Sequence, residues 1–415
     1  MSKGSSWGLF DAYGIELEYM IVDRETLAVR PLADVLLRGK GKSFRQSVKR
    51  GPITWSNELA LHVVELKCSM PTGDLVQLAA DFHENVLEAN AQLAEHGACL
   101  LGTAAHPWMN PDTETRLWPH GDREIYGMYD RLFDCRGHGW SNLQSVHINL
   151  PFRGQEEFAR LHSAIRLVLP LIPAVAASSP ILDGKYGGTV DQRLVYYQQN
   201  QRRVPQIIGP VIPEPVQSEA EYHKTIYAPI KEAITPLDPD GVLDSLWLNS
   251  RAAIARFDRN AIEIRVMDIQ ECPQADLALV ALVSQTVRLL AEGKLAPLEE
   301  QVALTSNDLR AVFGVCIKDG HQASVAHHAY LKALGLGGVS ASAETIWRHL
   351  LAKTQEHYPA MMEPWLPTLR TLLQRGTLAS KLVEQLPAKE SFTVEELRPL
   401  YQQLQTKLVE NTVLL

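Results

Sequence analysis

The segment Tyr13-Gly-Ile-Glu-Leu-Glu-Tyr-Met-Ile-Val22 reads as a strand with two unlike faces. Side chains alternate along a strand, so Tyr13, Ile15, Leu17, Tyr19 and Ile21 share one face while Glu16, Glu18, Met20 and Val22 share the other. The apolar face requires a covering layer, and two neighbouring carboxylates on the other face require positive charge. Three further segments repeat the pattern. Ser145-Val-His-Ile-Asn-Leu150 sets Val146, Ile148 and Leu150 against Ser145, His147 and Asn149. Ala261-Ile-Glu-Ile-Arg-Val266 leaves Glu263 and Arg265 together opposite an apolar trio, and between Leu59 and Lys67 Glu65 falls in step with Leu59, Leu61 and Val63.

Each strand alone is an ordinary amphipathic strand with a solvated charged face. As a set they predict one sheet face on which strands about 4.8 Å apart gather Glu16, Glu18, Glu65, His147 and Glu263. Carboxylates so close repel and raise each other's pKa, so bound cations are the natural compensation. Oxygen ligands with one imidazole suit Mg²⁺ or Mn²⁺ better than a structural zinc. Arg265, beside Glu263, then offers a fixed positive charge to phosphate.

Around these strands lies a chain of 415 residues, 46% hydrophobic and 21% charged, enough for a sizeable core in a folded protein. With 40 basic and 48 acidic residues the formal charge is -8, which argues against a broad nucleic-acid surface. The five cysteines, Cys68, Cys99, Cys135, Cys272 and Cys316, are scattered and odd in number, as for reduced thiols in a cytoplasmic protein. The N-terminal MSKGSSWGLF has no apolar signal core, and the most apolar stretch, 167–177, carries Pro170 and Pro173. No membrane span is expected.

The chain alternates strand-like and helix-like segments to about residue 270 and is helical beyond, which predicts an α+β fold with a sheet-containing catalytic region, 1–274, and a helical region, 275–415, packed on the same unit. Helices are predicted after Asp74 with Gly97 beyond the end, from Gln155 towards Leu169, from Ala275 to Glu292, and after the capping pair Thr393 and Glu396.

At these residues the sequence resembles the glutamate-cysteine ligases, in particular the second bacterial family of carboxylate-amine ligases, relatives of glutamine synthetase. The match is ordered: GIELEY at 14–19, VVEL at 63–66, GTAAHPW at 102–108, SVHINL at 145–150, SSPILDGKYGG at 178–188 with Arg193 beyond, LWLNSR at 246–251 and EIRVMD at 263–268. The resemblance implies a glutamine-synthetase-like curved antiparallel sheet covered by helices. It also implies that Glu16, Glu18, Glu65, His147 and Glu263 hold divalent ions bridging the ATP phosphates, and that Arg265 contacts the transferred phosphoryl group. Arg193 and Arg251 would bind phosphate or a substrate carboxylate, and a turn at Gly184 and Gly188 would let backbone approach the ligand. The implied reaction is ATP- and Mg²⁺-dependent ligation of an acid, glutamate, to an amine such as cysteine through γ-glutamyl phosphate, as in glutathione biosynthesis. A homo-oligomer is compatible with it. In the family's His-x-His-x-Gly strand the first histidine is here Ser145 and the glycine Asn149; Ser179 and Asp191 likewise replace a common asparagine and serine.

Other features have plainer readings. Gly41-Lys42-Ser43 lacks the earlier glycine of a phosphate-binding loop, since that position is Leu36. The basic run 38–50 reads as a solvated loop, with a lid over nucleotide as the sharper version. His321, His327 and His328 lack ligand spacing, His106 reads as a structural or supporting residue, and Cys68 is placed either near the site or in the core. Two alternatives remain beside the ligase: a phosphotransferase of the same fold, and a non-catalytic metal-binding interaction protein.

Overall fold

The computed structural model describes residues 7–38 and 43–415. Eight strands form the main sheet: β1 (Gly14–Asp23), β2 (Ser47–Arg50), β3 (Ile53–Asn57), β4 (Val63–Cys68), β5 (Ala98–Leu101), β6 (Ser145–Pro151), β7 (Ala253–Arg256) and β8 (Ala261–Asp268). Their order is β2-β3-β4-β1-β6-β8-β7, every pairing antiparallel, with β5 on the second half of β1. The fold is α+β: an antiparallel sheet covered by helices, as expected.

The apolar side of β1 decides what covers it. Ile15, Leu17, Tyr19 and Ile21 join the main core with residues of the helices Leu75–Ala94, Gly154–Val168 and Pro273–Ala291. The first of these helices begins as predicted, with Asp74 Oδ1 accepting from the Gln77 N–H at 3.0 Å, and Gly97 takes its expected positive φ of 66°. Pro273 occupies the first turn of the third, where a missing N–H costs nothing. That helix, not 167–177, is the one described segment long and apolar enough to cross a membrane, yet 89% of its most apolar window is buried inside this molecule. It also runs across the expected boundary at 274/275 and packs into the sheet's core.

The other face of β1 is divided. Glu16 and Glu18 look into the site, whereas Met20 and Val22 join a second cluster with Cys99 and Leu101 of β5 and Leu397, Tyr401 and Leu404 of the helix Val394–Glu410. That helix carries the predicted capping box of Thr393 and Glu396. Two expectations change. Residues 47–50 are strand rather than solvated loop, with Arg50 lying 4.9 Å over the Trp55 ring; residues 39–42, the centre of the basic run and of the Gly41-Lys42-Ser43 motif, lie outside the described residues. The strand of Glu65 begins only at Val63, and Leu59 and Leu61 belong to the preceding turn, where Ala60 bridges Leu117.

Candidate active site

Register brings the predicted residues together. Across β1 and β4, Glu18 stands opposite Glu65 and Glu16 opposite Lys67; across β1 and β6, Glu16 stands opposite His147; across β6 and β8, Asn149 stands opposite Glu263. Residues opposite one another in an antiparallel pair share a face, so these side chains converge although they lie far apart in the chain. Between Val146 and Ile148 the register with β8 slips by one residue, a bulge that bends β8 beside Arg265.

His147 is the hub. Its Nδ1 lies 3.2 Å from Glu16 Oε2 and 3.7 Å from Glu263 Oε1, and its Nε2 lies 3.9 Å from Glu18 Oε1. Glu16, Glu65 and His147 each offer a ligand atom within 4.8 Å of the others, the spacing a shared metal ion requires. Two departures from the family strand hold this cluster in place. Ser145 donates to Glu18 Oε2 through its N–H at 2.7 Å and through its hydroxyl at 2.8 Å. Asn149 Nδ2 donates to Glu16 Oε1 at 3.1 Å, and the Asn149 Cβ would stand only 3.0 Å from a Cβ at position 14, which is why Gly14 precedes the glutamates. Glu65 is gripped by the Ser56 hydroxyl at 2.6 Å and the Lys67 ammonium at 2.5 Å.

Charge and burial oppose each other here. Burial alone favours neutral His147, but the Glu16 hydrogen bond and the Glu18 charge outweigh it and hold its pKa up to about 9. Burial likewise acts against ionised Glu16 and Glu263, yet the bond to His147 lowers the first and the Arg265 guanidinium lowers the second. For Glu65, burial and the Glu16 charge prevail and the carboxyl is raised. A further acid missed in the sequence, Glu58, is pushed well above the usual carboxylate range by burial and by the charges of Glu65 and Glu18. It sits in the turn that the strand reading of 59–67 concealed.

One side of this cluster borders a cavity of about 370 Å³, with Glu16, Glu65 and Glu263 lying behind its lining. Glu18, Glu58, His147, Arg193 and Arg265 line it. Arg265 Nε lies 3.0 Å from Glu263 Oε1. Arg193, on the helix Gln192–Tyr197, pairs through Nε with Asp268, while its buried Nη2 has no hydrogen-bond partner. The other two departures position it: Asp191 caps this helix by accepting from the Leu194 N–H, and the Ser179 hydroxyl accepts from the Arg193 N–H at 3.1 Å and donates to Asp268 at 3.0 Å.

Three expected residues stand elsewhere. Arg251 is 3% exposed and does not border the cavity; Glu214 takes its Nε and Nη2 at 2.7 Å each, and Nη1 bonds Asn249 Oδ1 at 3.1 Å. Its fork is filled within the protein. Gly184 and Gly188 have positive φ, 68° and 76°, as a turn demands, but the close approach at Gly184 is to the chain's own backbone: a Cβ there would meet the Phe392 carbonyl at 2.7 Å. Among the minor readings, Cys68 lies opposite Ile53 on the apolar side of the sheet, its thiol pushed up to about 11 by burial. His106 is fully buried and bonds the Leu27 carbonyl at 2.8 Å, while His321, His327 and His328 bond separate local partners. The aromatic side of the cavity, with Tyr126, Tyr129, Trp140, Tyr197 and Trp247, carried no sequence signal, because its rings come from four helices scattered along the chain.

Known proteins share this arrangement of sequence and fold. An uncharacterised protein of Archaeoglobus fulgidus is 32% identical over 404 residues, 97% of this chain and 100% of its own length. The crystal structure of a glutamate–cysteine ligase from Francisella tularensis in complex with AMP superposes with a TM-score of 0.58 at 12% identity, covering 96% of this chain and 88% of that one. A bifunctional glutathione synthetase from Pasteurella multocida gives a TM-score of 0.60 at 13% identity over 96% of this chain, which spans about half of that protein, 53%. At such identities the superpositions speak for the fold alone. The sequence goes further: residues 12–329, which hold the whole of the cluster around His147, match glutamate-cysteine ligase family 2, and to that family the chain belongs.

Proposed function

We propose that this protein is an ATP- and Mg²⁺-dependent carboxylate-amine ligase that takes glutamate as its acid and works through γ-glutamyl phosphate. The observation that carries the reading is the meeting of Glu16, Glu65 and His147 beside a cavity lined by Arg193, whose buried Nη2 has no hydrogen-bond partner. The donor set fits a hard dication, since carboxylates outnumber the single imidazole and the nearby thiol, Cys68, belongs to the other face of the sheet. In this reading Glu16, Glu18, Glu65, His147 and Glu263 hold Mg²⁺ or Mn²⁺, with Glu58 as an added oxygen donor. The ions, when bound, neutralise the ATP phosphates.

Arg265 and Arg193 then meet the oxygens of the phosphoryl group as it passes to the γ-carboxylate. The acyl phosphate so formed is attacked by the amine, and phosphate departs. The AMP complex of the Francisella ligase is in keeping with a nucleotide at this fold. The family description makes cysteine the amine against which other acceptors are measured. Incubation with ATP, Mg²⁺, glutamate and pooled amines tests the reading: ADP release that needs both acid and amine, with a product whose mass is their sum less water, is expected. A stable phosphorylated product would turn the reading to a phosphotransferase. ATP and metal binding without turnover of any acid–amine pair would turn it to a non-catalytic interaction protein.

A further inference from the structure

The cavity has two kinds of wall. The sheet supplies Glu18, Ser145, His147 and Arg265; the segments lying over it supply Tyr126, Tyr129, Trp140, Tyr197 and Trp247. Tyr129 meets Trp140 edge to face at 5.6 Å, and Phe133 stacks on Trp140 at 5.7 Å, so the ring wall is braced from behind. Trp247 borders the cavity and is still 56% exposed. On this side Trp140 Nε1 and Gln201 Oε1 are buried without a hydrogen-bond partner, and Gln201 as a whole is 3% exposed. Water or a ligand can complete each of these atoms. Asp122 also lines the cavity, and its carboxylate is not spent on capping the helix that it precedes.

Charge narrows the ligand further. Among the described residues lining the cavity, Arg193 and Arg265 are the only ones with a guanidinium or ammonium, and each already faces an acid, Asp268 and Glu263. Phosphate and glutamate draw on both. An amino acid as acceptor would bring its own carboxylate into a space lined by Asp122, while Arg193 and Arg265 are already shared by phosphate and glutamate. Aromatic faces joined to carboxylates are instead the recognition set for an organic cation with an apolar body.

We propose that the acceptor is a primary amine with an aromatic or bulky apolar body and no carboxylate, seated against Tyr129, Trp140 and Trp247, in place of cysteine; this rests on the ligase reading above. Asp122 supplies negative charge that draws the protonated amine in. The protonated amine loses one proton to solvent and its nitrogen attacks the acyl carbon; the C–N bond forms, the C–O bond to phosphate breaks, phosphate leaves with the bonding pair, and the second proton passes from the nitrogen to the departing phosphate or solvent.

The test measures ADP release with ATP, Mg²⁺ and glutamate against phenethylamine, phenylalanine and cysteine. Phenylalanine is phenethylamine with a carboxylate added, so the pair isolates that group. Phenethylamine is expected to exceed both others in kcat/KM by about tenfold or more. Trp247→Ala and Asp122→Asn are expected to raise its KM about tenfold and a few-fold, with the KM for ATP unchanged. Preference for phenylalanine or cysteine overturns the proposal and leaves the ligase reading standing. A Trp247→Ala variant that loses ATP affinity instead assigns the rings to the nucleotide and overturns it too. ADP release with no amine in the set, or in a wider pool, brings down both readings together.

Discussion

His147 sets how the site answers pH. Without a metal ion its pKa rises from 6.5 to about 9, so the imidazolium stabilises the fold fully below about pH 6.5 and that contribution is lost as pH rises through about 9. Metal coordination runs in the opposite sense, because a ligand imidazole must be neutral and each ion bound there expels a proton. Mn²⁺ affinity is therefore expected to climb about tenfold per unit from about pH 7 and to flatten near pH 9. Calorimetric titration over that range checks it, and an affinity that stays flat removes His147 from the ligand set. The two neighbouring arginine assignments separate just as sharply. Arg265→Lys is expected to lower kcat about a hundredfold with the fold intact, since an ammonium cannot reproduce the planar fork beside Glu263. Arg251→Ala is expected to cost about 3 kcal/mol in denaturant unfolding while the KM for ATP holds, because its partner is Glu214 and not a ligand. The sequence reached Arg265 through its strand beside Glu263 and Arg251 only through the family resemblance; that Arg251 does not border the cavity depends on Glu214, a partner outside its segment.

At the scale of elements, the signals that succeeded were local ones. Asp74 ahead of the helix Leu75–Ala94 and the capping box at Thr393 could be read directly, because a cap is satisfied within a few residues. Asp74→Ala is expected to lower stability by about 1 kcal/mol with activity unchanged, as followed by thermal unfolding. The signals that failed were also local. Leu59 and Leu61 alternate like a strand, yet they form the turn that carries Glu58 towards the cavity. The basic 47–50 segment looks solvated, yet it is an edge strand whose Arg50 rests on Trp55. Pairing with β3 made that choice, and no window of the sequence contains it.

The whole molecule adds what no single element carries. The C-terminal helices close over the lower half of the β1 face that holds the site, and they are tied back to the catalytic region by a buried pair. Lys381 Nζ lies 3.0 Å from Glu271 Oε1 and donates to the Leu414 carbonyl at 2.8 Å, while the Leu414 N–H donates to Glu271 at 2.9 Å. Lys381→Met is expected to cost about 4 kcal/mol, since it leaves the buried Glu271 without its cation and with only the Leu414 N–H to bond it, and Lys381→Met with Glu271→Gln is expected to recover part of the loss. With Glu271→Gln completing the cycle by urea unfolding, single-variant losses that add up to that of the double variant would show that the pair is not coupled.

The alternation in Tyr13–Val22 and its echoes at 59–67, 145–150 and 261–266 predicted by themselves that acids, an imidazole and an arginine would share one sheet face, because strand periodicity is a property of the backbone, and the family resemblance added that the sheet is antiparallel. Only the tertiary structure decided that Ser145 and Asn149 hold the first two glutamates, that Arg193 keeps a free nitrogen while Arg251 keeps none, and that separate segments raise an aromatic wall opposite the charges. Those outcomes depend on which partner each donor finds in the folded chain, and the pairs involved lie from 37 to 133 positions apart, where no sequence periodicity reaches.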